Sequence, residues 1–406
     1  MSNKTNAFTS SVLPPGETDL VCFSHLRWDF VYQRPQHLLS RCAKERRVFF
    51  IEEPIYGNCS MRLEVREADP GVHVVVPHLP DGLRSEIAIN AVIKEMTRQF
   101  FTEQGINEYI FWYYTPMALR FTEQFKPIAS VYDCMDELSA FKGANSKLPA
   151  LEKQLFSQVD LVFTGGQSLY EVKRNQHPNV HAFPSSIDAS HFGKARKAVA
   201  DPEDQANIPH PRLGFFGVID ERFDIELLDE VAAKRPDWNF VIIGPIVKID
   251  PDALPKHSNI HYLGGKKYSE LPEYLAGWDV ALLLFARNES TRFISPTKTP
   301  EYLAAGKPVI STSIKDVVRP YGEMKLVEIT DTADEFIAAA EKILSRSDRS
   351  EWLQKVDAFL ENISWDKTWA QMSELIDEVI ERKRPARALP LNGMSQRAGV
   401  AAAITR

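Results

Sequence analysis

Cysteine is scarce in this sequence. Its 406 residues include four cysteines, Cys22, Cys42, Cys59 and Cys134, and no two of them have Cys-x-x-Cys spacing. A disulfide framework or a zinc ribbon requires a denser and more regular set. The sequence therefore indicates a reducing compartment, and we expect neither a bound metal nor another cofactor.

Long hydrophobic runs are also missing. A membrane-spanning helix needs about 20 consecutive apolar residues, whereas runs such as residues 280–285 have the length of buried strands. Residues 1–15 are polar and lack the apolar core of a signal peptide. We therefore expect a cytoplasmic protein whose residues 1–15 are disordered.

The sequence also lacks an excess of positive charge. The formal net charge is -7, and the body of the chain has no long run of one sign. No nucleic-acid partner is expected, because a phosphate backbone requires a basic face. The hydrophobic content of 44% and the charged content of 25% are ordinary for a soluble globular protein. A chain of 406 residues favours two or more domains.

Short apolar runs alternate with amphipathic stretches along most of the chain. Unbroken apolar runs are typical of parallel strands that are covered on both faces. The sequence predicts strands at residues 19–24, 47–52, 72–77, 109–114, 129–132, 161–164, 212–217, 239–243, 260–262, 280–284, 309–312 and 326–329. It predicts helices at residues 34–45, 84–104, 147–158, 225–234, 268–276, 300–305, 332–345 and 349–363. This succession predicts an α/β fold with open parallel sheets.

The pattern restarts after a polar stretch that contains prolines. We predict an N-terminal Rossmann-like domain (16–193), a linker (194–210), a C-terminal Rossmann-like domain (211–364) and an amphipathic helix (365–383). The remaining residues, 384–406, contain no acid, and we expect a disordered basic tail. A solvated tail is the favoured interpretation. The alternative is peripheral contact with the inner face of a membrane.

The most informative pattern lies in residues 294–310. Pro296 stiffens a loop and favours a helix start, and Gly306 is a residue type that ends helices. A helix start with free N–H groups and a nearby cation, Lys298, suits a diphosphate. Glu301 can accept hydrogen bonds from ribose hydroxyls. On physical grounds alone, a well-capped helix without a ligand explains these residues about equally well.

The stretch from Ser295 to Val309 resembles the donor-binding signature of retaining GT-B glycosyltransferases, family 4 in particular. The resemblance extends over residues 213–380. It implies two Rossmann-like domains that face a cleft, with a helix packing back, and a nucleoside diphosphate sugar bound by the C-terminal domain. The donor-binding residues that it implies are Gly217, Arg222, Gly244, Ser295, Pro296, Thr297, Lys298 and Glu301.

The sequence departs from the family pattern at two places. Phe293 stands where many members have a glutamate that contacts the donor sugar, so we expect sugar recognition to differ. The first loop of the C-terminal domain has one basic residue, Arg222, at an unusual offset. Arg222 either binds phosphate, which we favour, or pairs with Asp220 or Glu221.

The loop after the first strand is aromatic and charged and contains no glycine. Loops at the carboxyl ends of strands face the ligand crevice in open α/β sheets. Aromatic rings pack on sugar faces, and charged groups bind hydroxyls or phosphate. The loop resembles that of bacterial cell-surface polysaccharide transferases of teichuronic acid type. We expect catalytic contacts from Arg27 and Asp29.

Two further strand ends carry polar side chains. Tyr114 ends one strand, and Asp133 and Asp136 follow another, where Asp136 can equally cap a helix. We expect Asp133 to be catalytic. The residues expected to bind the acceptor are His25, Trp28, Arg34, Tyr114 and Asp136.

The resemblance implies a retaining glycosyltransferase that moves a sugar from a nucleoside diphosphate sugar to a hydroxyl of a glycan or lipid-linked acceptor, in cell-surface or exopolysaccharide biosynthesis. Catalysis would rest on positioning and on stabilisation of phosphate charge. Two alternatives remain open. One is a non-catalytic carbohydrate-binding or scaffolding subunit with the same fold, and the other is a sugar-nucleotide epimerase.

Overall fold

A computed structural model describes residues 18–197 and 199–383. The predictions of disorder at residues 1–15 and 384–406 lie outside the described residues. Two parallel sheets with helices on both faces account for most of the described chain, as the apolar runs predict.

The first sheet has nine strands within the described residues, in the order β3-β5-β2-β1-β6-β7-β8-β9, with β4 paired to β5. The central strands β1, β2 and β6 are buried at every position because both of their faces are covered, and all but Asp19 of their residues are apolar or aromatic. The strands are β1 (Asp19–Phe23), β2 (Val48–Ile51), β3 (Ile55–Gly57), β4 (Arg62–Asp69), β5 (Val72–Pro80), β6 (Tyr109–Tyr113), β7 (Ala129–Cys134), β8 (Leu161–Thr164) and β9 (Val180–Ala182).

Strand β4 was not predicted from the sequence. It is antiparallel to β5 and exposed along most of its length, so it lacks the unbroken apolar run of the central strands. The turn that joins the two strands contains Gly71, whose φ of 80° favours glycine. Strands β3 and β9 were missed because each has only three residues, none of them buried, and so neither forms an apolar run.

The second sheet has six strands within the described residues, all parallel, in the order β12-β11-β10-β13-β14-β15. This order reverses direction between β10 and β13, as in a Rossmann sheet. The strands are β10 (Arg212–Phe216), β11 (Asn239–Ile243), β12 (Ile260–Gly264), β13 (Val280–Leu283), β14 (Val309–Ser311) and β15 (Val327–Ile329).

The helices connect the strands and cover both sheets. Those before β10 are α1 (Arg34–Cys42), α2 (Glu86–Gln104), α3 (Leu119–Thr122), α4 (Leu148–Phe156), α5 (Gln167–Lys173), α6 (Ala189–Phe192) and α7 (Glu203–Ala206). The later ones are α8 (Ile225–Lys234), α9 (Leu271–Ala276), α10 (Lys298–Ala304), α11 (Lys315–Val317), α12 (Ala333–Leu344), α13 (Ser350–Leu360) and α14 (Trp365–Lys383). Helix α12 begins with a capping box between Thr332 and Glu335.

The last helix, α14, packs back onto the first sheet, as expected. Its apolar stripe, which includes Trp369 and Met372, joins the core beneath β1 and β7. The indole of Trp369 donates to Glu45 over 3.0 Å, and Lys383 pairs with Asp160 over 2.9 Å. The chain thus crosses to the second sheet and returns.

The two halves also touch on both sides of a cleft. The hydroxyl of Ser185 donates to the backbone oxygen of Ser295 over 2.5 Å. The Asp316 carboxylate accepts the Ser168 amide over 2.9 Å. These contacts fix how the edges of the two sheets face each other.

No helix in the described part of the chain is long and apolar enough to cross a membrane. All four cysteines are free, and three of them are buried.

Candidate functional site

A cavity of about 1060 Å³ lies between the carboxyl ends of the strands of both sheets. On the first-sheet side it is lined by the loop after β1 and by residues after β7 and β8. On the second-sheet side it is lined by residues after β10, β11 and β12 and by the start of α10. Ligand crevices in open α/β sheets form at this position, where the strand order reverses.

Two predicted glycines shape the second-sheet wall. Gly217 and Gly244 have φ values of 145° and 148°, which side chains rarely adopt. A Cβ on Gly217 would lie 2.2 Å from Cε of Lys298, and one on Gly244 would lie 1.7 Å from the backbone oxygen of Gly217. Glycine at Gly217 therefore lets Lys298 lie directly over the backbone, and glycine at Gly244 lets the two strand ends approach each other.

Lys298 and Glu301 lie one helical turn apart on α10, and both line the cavity. Burial lowers the pKa of Lys298, although the Glu301 carboxylate opposes this shift. Burial likewise raises the pKa of Glu301, and Lys298 opposes that shift. Each group is therefore poorly solvated when charged, so a ligand that supplies anionic oxygens to one and hydroxyls to the other would stabilise both.

Two polar atoms at this wall have no hydrogen-bond partner among the described residues. They are Oε2 of Glu301 and Oη of Tyr268, and both residues line the cavity. Buried polar groups are nearly always paired, so these atoms mark a place for ligand hydroxyls.

Arg222 pairs with Asp220, and its binding of phosphate stays a prediction. Its guanidinium donates to Asp220 through Nε and Nη2, with a shortest distance of 2.7 Å, and it also lines the cavity. The ring of Phe141, from the first half of the chain, lies 5.3 Å from it. Its charge is thus partly balanced before any ligand binds.

The predicted loop Ser295, Pro296 and Thr297 lines the cavity. Ser295 is held from the first half of the chain by Ser185, whose amide also reaches the Ser295 hydroxyl at 3.4 Å. The loop before α10 is therefore positioned by both halves of the chain.

Across the cleft, Arg34 lines the cavity while its guanidinium is held by Asp133. Nη2 of Arg34 donates to Oδ1 of Asp133 over 2.8 Å, and Nη1 donates to the backbone oxygen of Phe183 over 2.8 Å. Asp133 is fully buried and does not line the cavity. The expectation of a catalytic contact from Asp133 is corrected: it can orient Arg34 but not touch a molecule in the cavity.

Three other predicted residues also lie outside the cavity lining. Arg27 forms an ion pair with Glu52 at 2.9 Å. This pair ties the loop after β1 to the end of β2, and the expected catalytic contact of Arg27 is not supported. Tyr114 is buried, and its Oη is unpaired among the described residues. His25 has its pKa lowered to about 4 by burial, which keeps it neutral. Because neither Tyr114 nor His25 lines the cavity, the structure gives no support to their expected acceptor contacts.

The remaining predicted residues of the first half line the cavity. Trp28 packs against Phe50 and is largely buried, so little of its side chain is exposed to the cavity. Asp29 is exposed at the mouth and pairs with Arg66. Asp136 lies deeper, where burial raises its pKa to about 6 against the opposing effect of the Arg222 and Arg34 charges.

Phe293, which stands where many family members have a glutamate, lies away from the proposed ligand. It does not line the cavity, and its side chain packs against the apolar cluster on the first sheet that includes Tyr132 and Leu169. The nearest acidic side chain before it, Glu289, is exposed and pairs with Arg292 at 3.5 Å.

Sequence reasoning missed several lining residues, chiefly Tyr32, Arg66, Asp69 and Tyr268. Tyr32 and Tyr268 stack across the cleft, with ring centroids 4.4 Å apart. Tyr32 lies in the aromatic loop after the first strand, which the sequence had already indicated as part of the site. Its aromatic side chain could therefore have been predicted to line the cavity. Arg66 and Asp69 lie on β4, which carried no strand signal.

Among the described residues, no group of three or more His, Cys, Asp or Glu side chains is placed to hold a metal ion.

Residues 210–346 match the sequence profile of the family described as glycosyl transferases group 1. The matched segment contains the second sheet and helix α10, and so it carries both Lys298 and Glu301. The match agrees with the resemblance drawn from the signature at residues 295–309.

A curated relative is TuaH of Bacillus subtilis (strain 168), named for a glycosyltransferase of teichuronic acid biosynthesis. It is 26% identical over 236 residues, which cover 53% of this chain and 59% of the relative. The chain thus spans about three fifths of that relative's length.

Solved structures of similar fold cover nearly the whole chain. Sucrose-phosphate synthase from Thermosynechococcus elongatus has a TM-score of 0.67 at 14% identity, over 90% of this chain and 100% of that one. A trehalose-6-phosphate protein from E. coli bound with UDP-2-fluoro glucose has a TM-score of 0.63 at 12% identity, over 89% and 99%. Anabaena HepE in complex with UDP and glucose has a TM-score of 0.62 at 12% identity, over 88% and 99%.

These neighbours are GT-B proteins, and the two sheets facing a cleft with α14 packing back are the same arrangement. The predicted fold is thereby confirmed. The chain has the GT-B fold, and its residues 210–346 match the profile of the glycosyl transferases group 1 family.

Proposed function

We propose that the protein is a retaining glycosyltransferase that moves a sugar from a nucleoside diphosphate sugar to a hydroxyl acceptor in cell-surface or exopolysaccharide biosynthesis. The observation that carries the proposal is the pair Lys298 and Glu301, which faces the cavity with Oε2 of Glu301 unpaired among the described residues. This pair lies in the segment that matches the family profile.

In this proposal the donor lies along the second-sheet wall. Lys298 attracts the diphosphate, and the absence of a side chain at Gly217 leaves the room that the Lys298 side chain occupies. Glu301 accepts hydrogen bonds from the ribose hydroxyls. The bound UDP named for two structural neighbours supports this class of ligand.

The acceptor enters from the first-sheet side, where Arg34 and Asp136 line the cavity. The bond between the anomeric carbon and the diphosphate oxygen breaks, and a bond from the acceptor oxygen forms on the same face. The acceptor proton passes to the departing diphosphate. The protein contributes positioning and charge stabilisation, with Lys298 and Arg222 offsetting the diphosphate charge in place of a metal.

A glycan or lipid-linked acceptor fits the name of the curated relative, which refers to teichuronic acid biosynthesis. We propose that the reaction takes place in the cytoplasm. A lipid-linked acceptor would bind at the inner face of the membrane.

The proposal is tested by offering UDP, GDP, ADP and dTDP sugars to the purified chain and following both thermal stabilisation and nucleotide release. One nucleotide family should stabilise the wild type, because a ligand that binds only the native state raises the melting temperature. Glu301→Gln should lose this effect. Glu328→Gln is the control, since Glu328 pairs with Lys342 away from the cavity.

Stabilisation that survives in Glu301→Gln would contradict the donor site. Binding without release to any acceptor would favour a non-catalytic subunit, and conversion of the free nucleotide sugar would favour an epimerase.

A further inference from the structure

The outer end of the cavity holds two exposed aromatic rings. Phe30 and Tyr32 are 47% and 41% exposed, although most large apolar side chains of the described chain are buried. Both lie in the loop between β1 and α1 and line the cavity. Exposed rings at the edge of a cavity are typical of a recognition surface.

The structure holds one of these rings in place. Tyr32 stacks on Tyr268 with ring centroids 4.4 Å apart and an interplanar angle of 25°. The edge of the Tyr32 ring also meets His37, at 4.7 Å. The ring is therefore oriented before a ligand arrives, which lowers the entropy cost of binding.

Polar side chains from β4 form the facing wall. Arg66 pairs with Asp29, which is itself exposed at the mouth. Asp69 accepts a hydrogen bond from the Ser40 hydroxyl over 3.3 Å. A guanidinium and two carboxylates thus stand beside the rings, in a pattern that can donate to and accept from hydroxyl groups.

The charges at this end favour an uncharged ligand. Of the cations that line it, Arg66 pairs with Asp29 and Lys266 pairs with Asp204 at 2.5 Å, whereas Lys267 has no ion pair among the described residues. The other acidic side chains that line this end are Glu67, Asp69 and Glu270, so carboxylates outnumber unpaired cations. These carboxylates would repel a phosphorylated ligand.

The cavity has room for this second ligand. Its volume of about 1060 Å³ exceeds the roughly 300–1,000 Å³ that are typical of a pocket for a single small ligand. Lys298 and Glu301 mark the second-sheet wall for a nucleotide, and Phe30 and Tyr32 lie on the opposite wall.

We propose that Phe30, Tyr32, Asp29, Arg66 and Asp69, here called the aromatic mouth, bind an uncharged glycan that serves as the acceptor. The apolar faces of its sugar rings pack on Phe30 and Tyr32, and its hydroxyls bond to the charged side chains. The identification of this glycan as the acceptor rests on the proposed function.

The experiment uses the full chain, fluorescently labelled, on a printed array of defined neutral, phosphorylated and carboxylated oligosaccharides. The wild type should bind neutral oligosaccharides. Phe30→Ala and Arg66→Met should each weaken that signal, by about fivefold for the lost aromatic contact. Tyr56→Ala is the matched control, because Tyr56 is 45% exposed on β3 and does not line the cavity.

Three results would overturn the inference: no binding to any neutral glycan, binding to phosphorylated or carboxylated glycans alone, or equal losses in Phe30→Ala and Tyr56→Ala. Phe30-dependent binding to phosphatidylglycerol vesicles without glycan binding would also overturn it in favour of a membrane surface.

Thermal stabilisation by nucleotides separates this inference from the proposed function. A wild type that responds to a nucleotide but binds no neutral glycan contradicts the inference alone. A wild type that binds neutral glycans through Phe30 but responds to no nucleotide contradicts the proposed function and leaves the aromatic mouth supported.

Discussion

At the scale of single residues, Lys298 is the cation whose protonation matters most for the proposed donor. Burial holds its pKa in the free protein below the ordinary value of 10.5, and a bound diphosphate would raise it again. Donor binding therefore takes up a proton when the pH lies between the pKa of the free protein and that of the complex. Affinity is highest below the pKa of the free protein and falls as the pH rises through it.

We therefore expect the affinity for a nucleoside diphosphate sugar to weaken between neutral pH and pH 10.5 in the wild type. Lys298→Met should bind about 10- to 100-fold more weakly at neutral pH, as expected when a charged hydrogen-bond partner is lost. Its affinity should vary less with pH. Affinity is measured by fluorescence titration at several pH values. Lys307→Met is the control, since Lys307 bonds two backbone oxygens away from the cavity.

The Lys298 prediction is contradicted if the wild type and Lys298→Met show the same pH dependence, because another group would then control donor binding.

The pair Arg34 and Asp133 gives a second prediction, on stability. Both side chains are buried, so removing one partner leaves an uncompensated charge, which costs about 3–5 kcal/mol. Asp133→Leu should therefore lower the urea midpoint strongly. The double variant Arg34→Met with Asp133→Leu should recover part of the loss. Glu95→Gln is the control, because the Glu95–Arg98 pair is exposed and its loss should leave the midpoint unchanged.

A double variant that is as unstable as the sum of its single variants would show that Arg34 and Asp133 contribute independently.

At the scale of elements, the loop before α10 shows how far the sequence can predict this site. The prolines and Gly306 predict a helix at residues 300–305, whereas α10 begins at Lys298, so that Lys298 and Glu301 lie on the same helix. The position of Phe293, eight residues before Glu301, could not be predicted in the same way, because its side chain packs against the first sheet. Local patterns specify local structure, whereas contacts between sheets depend on how the two halves meet.

The same limit applies to the first sheet. Its central strands are predicted well, because burial on both faces produces unbroken apolar runs. The edge strand β4 is exposed, so its sequence lacks the apolar run that predicts a strand. Its residues Arg66 and Asp69 were therefore not predicted to line the cavity. Conversely, Asp133 was expected in the site because it follows a strand end, but its side chain turns into the core toward Arg34.

Phe293 provides the prediction at this scale. Phe293→Glu places a carboxylate where many relatives have one, but the side chain packs against the apolar cluster on the first sheet rather than lining the cavity. We expect a lower melting temperature without a gain in donor affinity, because burying an unpaired charge is unfavourable. Phe293→Leu is the control and should retain most of the stability. Tighter donor binding by Phe293→Glu would show that this loop can turn toward the cavity.

At the scale of the whole molecule, the cavity exists only because the two halves meet. Ser185 with Ser295, Tyr32 with Tyr268, and Arg222 with Phe141 are contacts around its rim. On another side, Asp316 accepts the Ser168 amide, and Lys315 pairs with Glu171 over 2.5 Å. Interfaces of this kind within a chain commonly permit domain motion.

We expect Asp316→Ala to loosen this contact and to increase the radius of gyration measured by small-angle X-ray scattering. Donor affinity should change little, because Lys298 and Glu301 stay together on α10, but turnover should fall because the acceptor side is displaced. Asp334→Ala is the control, since Asp334 pairs with Lys234 on the surface of the second half of the chain. An unchanged radius together with full activity would show that Asp316 does not hold the two halves together.

The central claim is that Lys298 and Glu301 bind a nucleoside diphosphate sugar. The most direct test is calorimetric titration of the full chain with UDP, GDP, ADP and dTDP, alongside Glu301→Gln and Lys298→Met. The account predicts saturable binding of one nucleotide family by the wild type and a marked loss in both variants. Equal binding by all three proteins, or no binding of any of the four nucleotides at millimolar concentration, would contradict it.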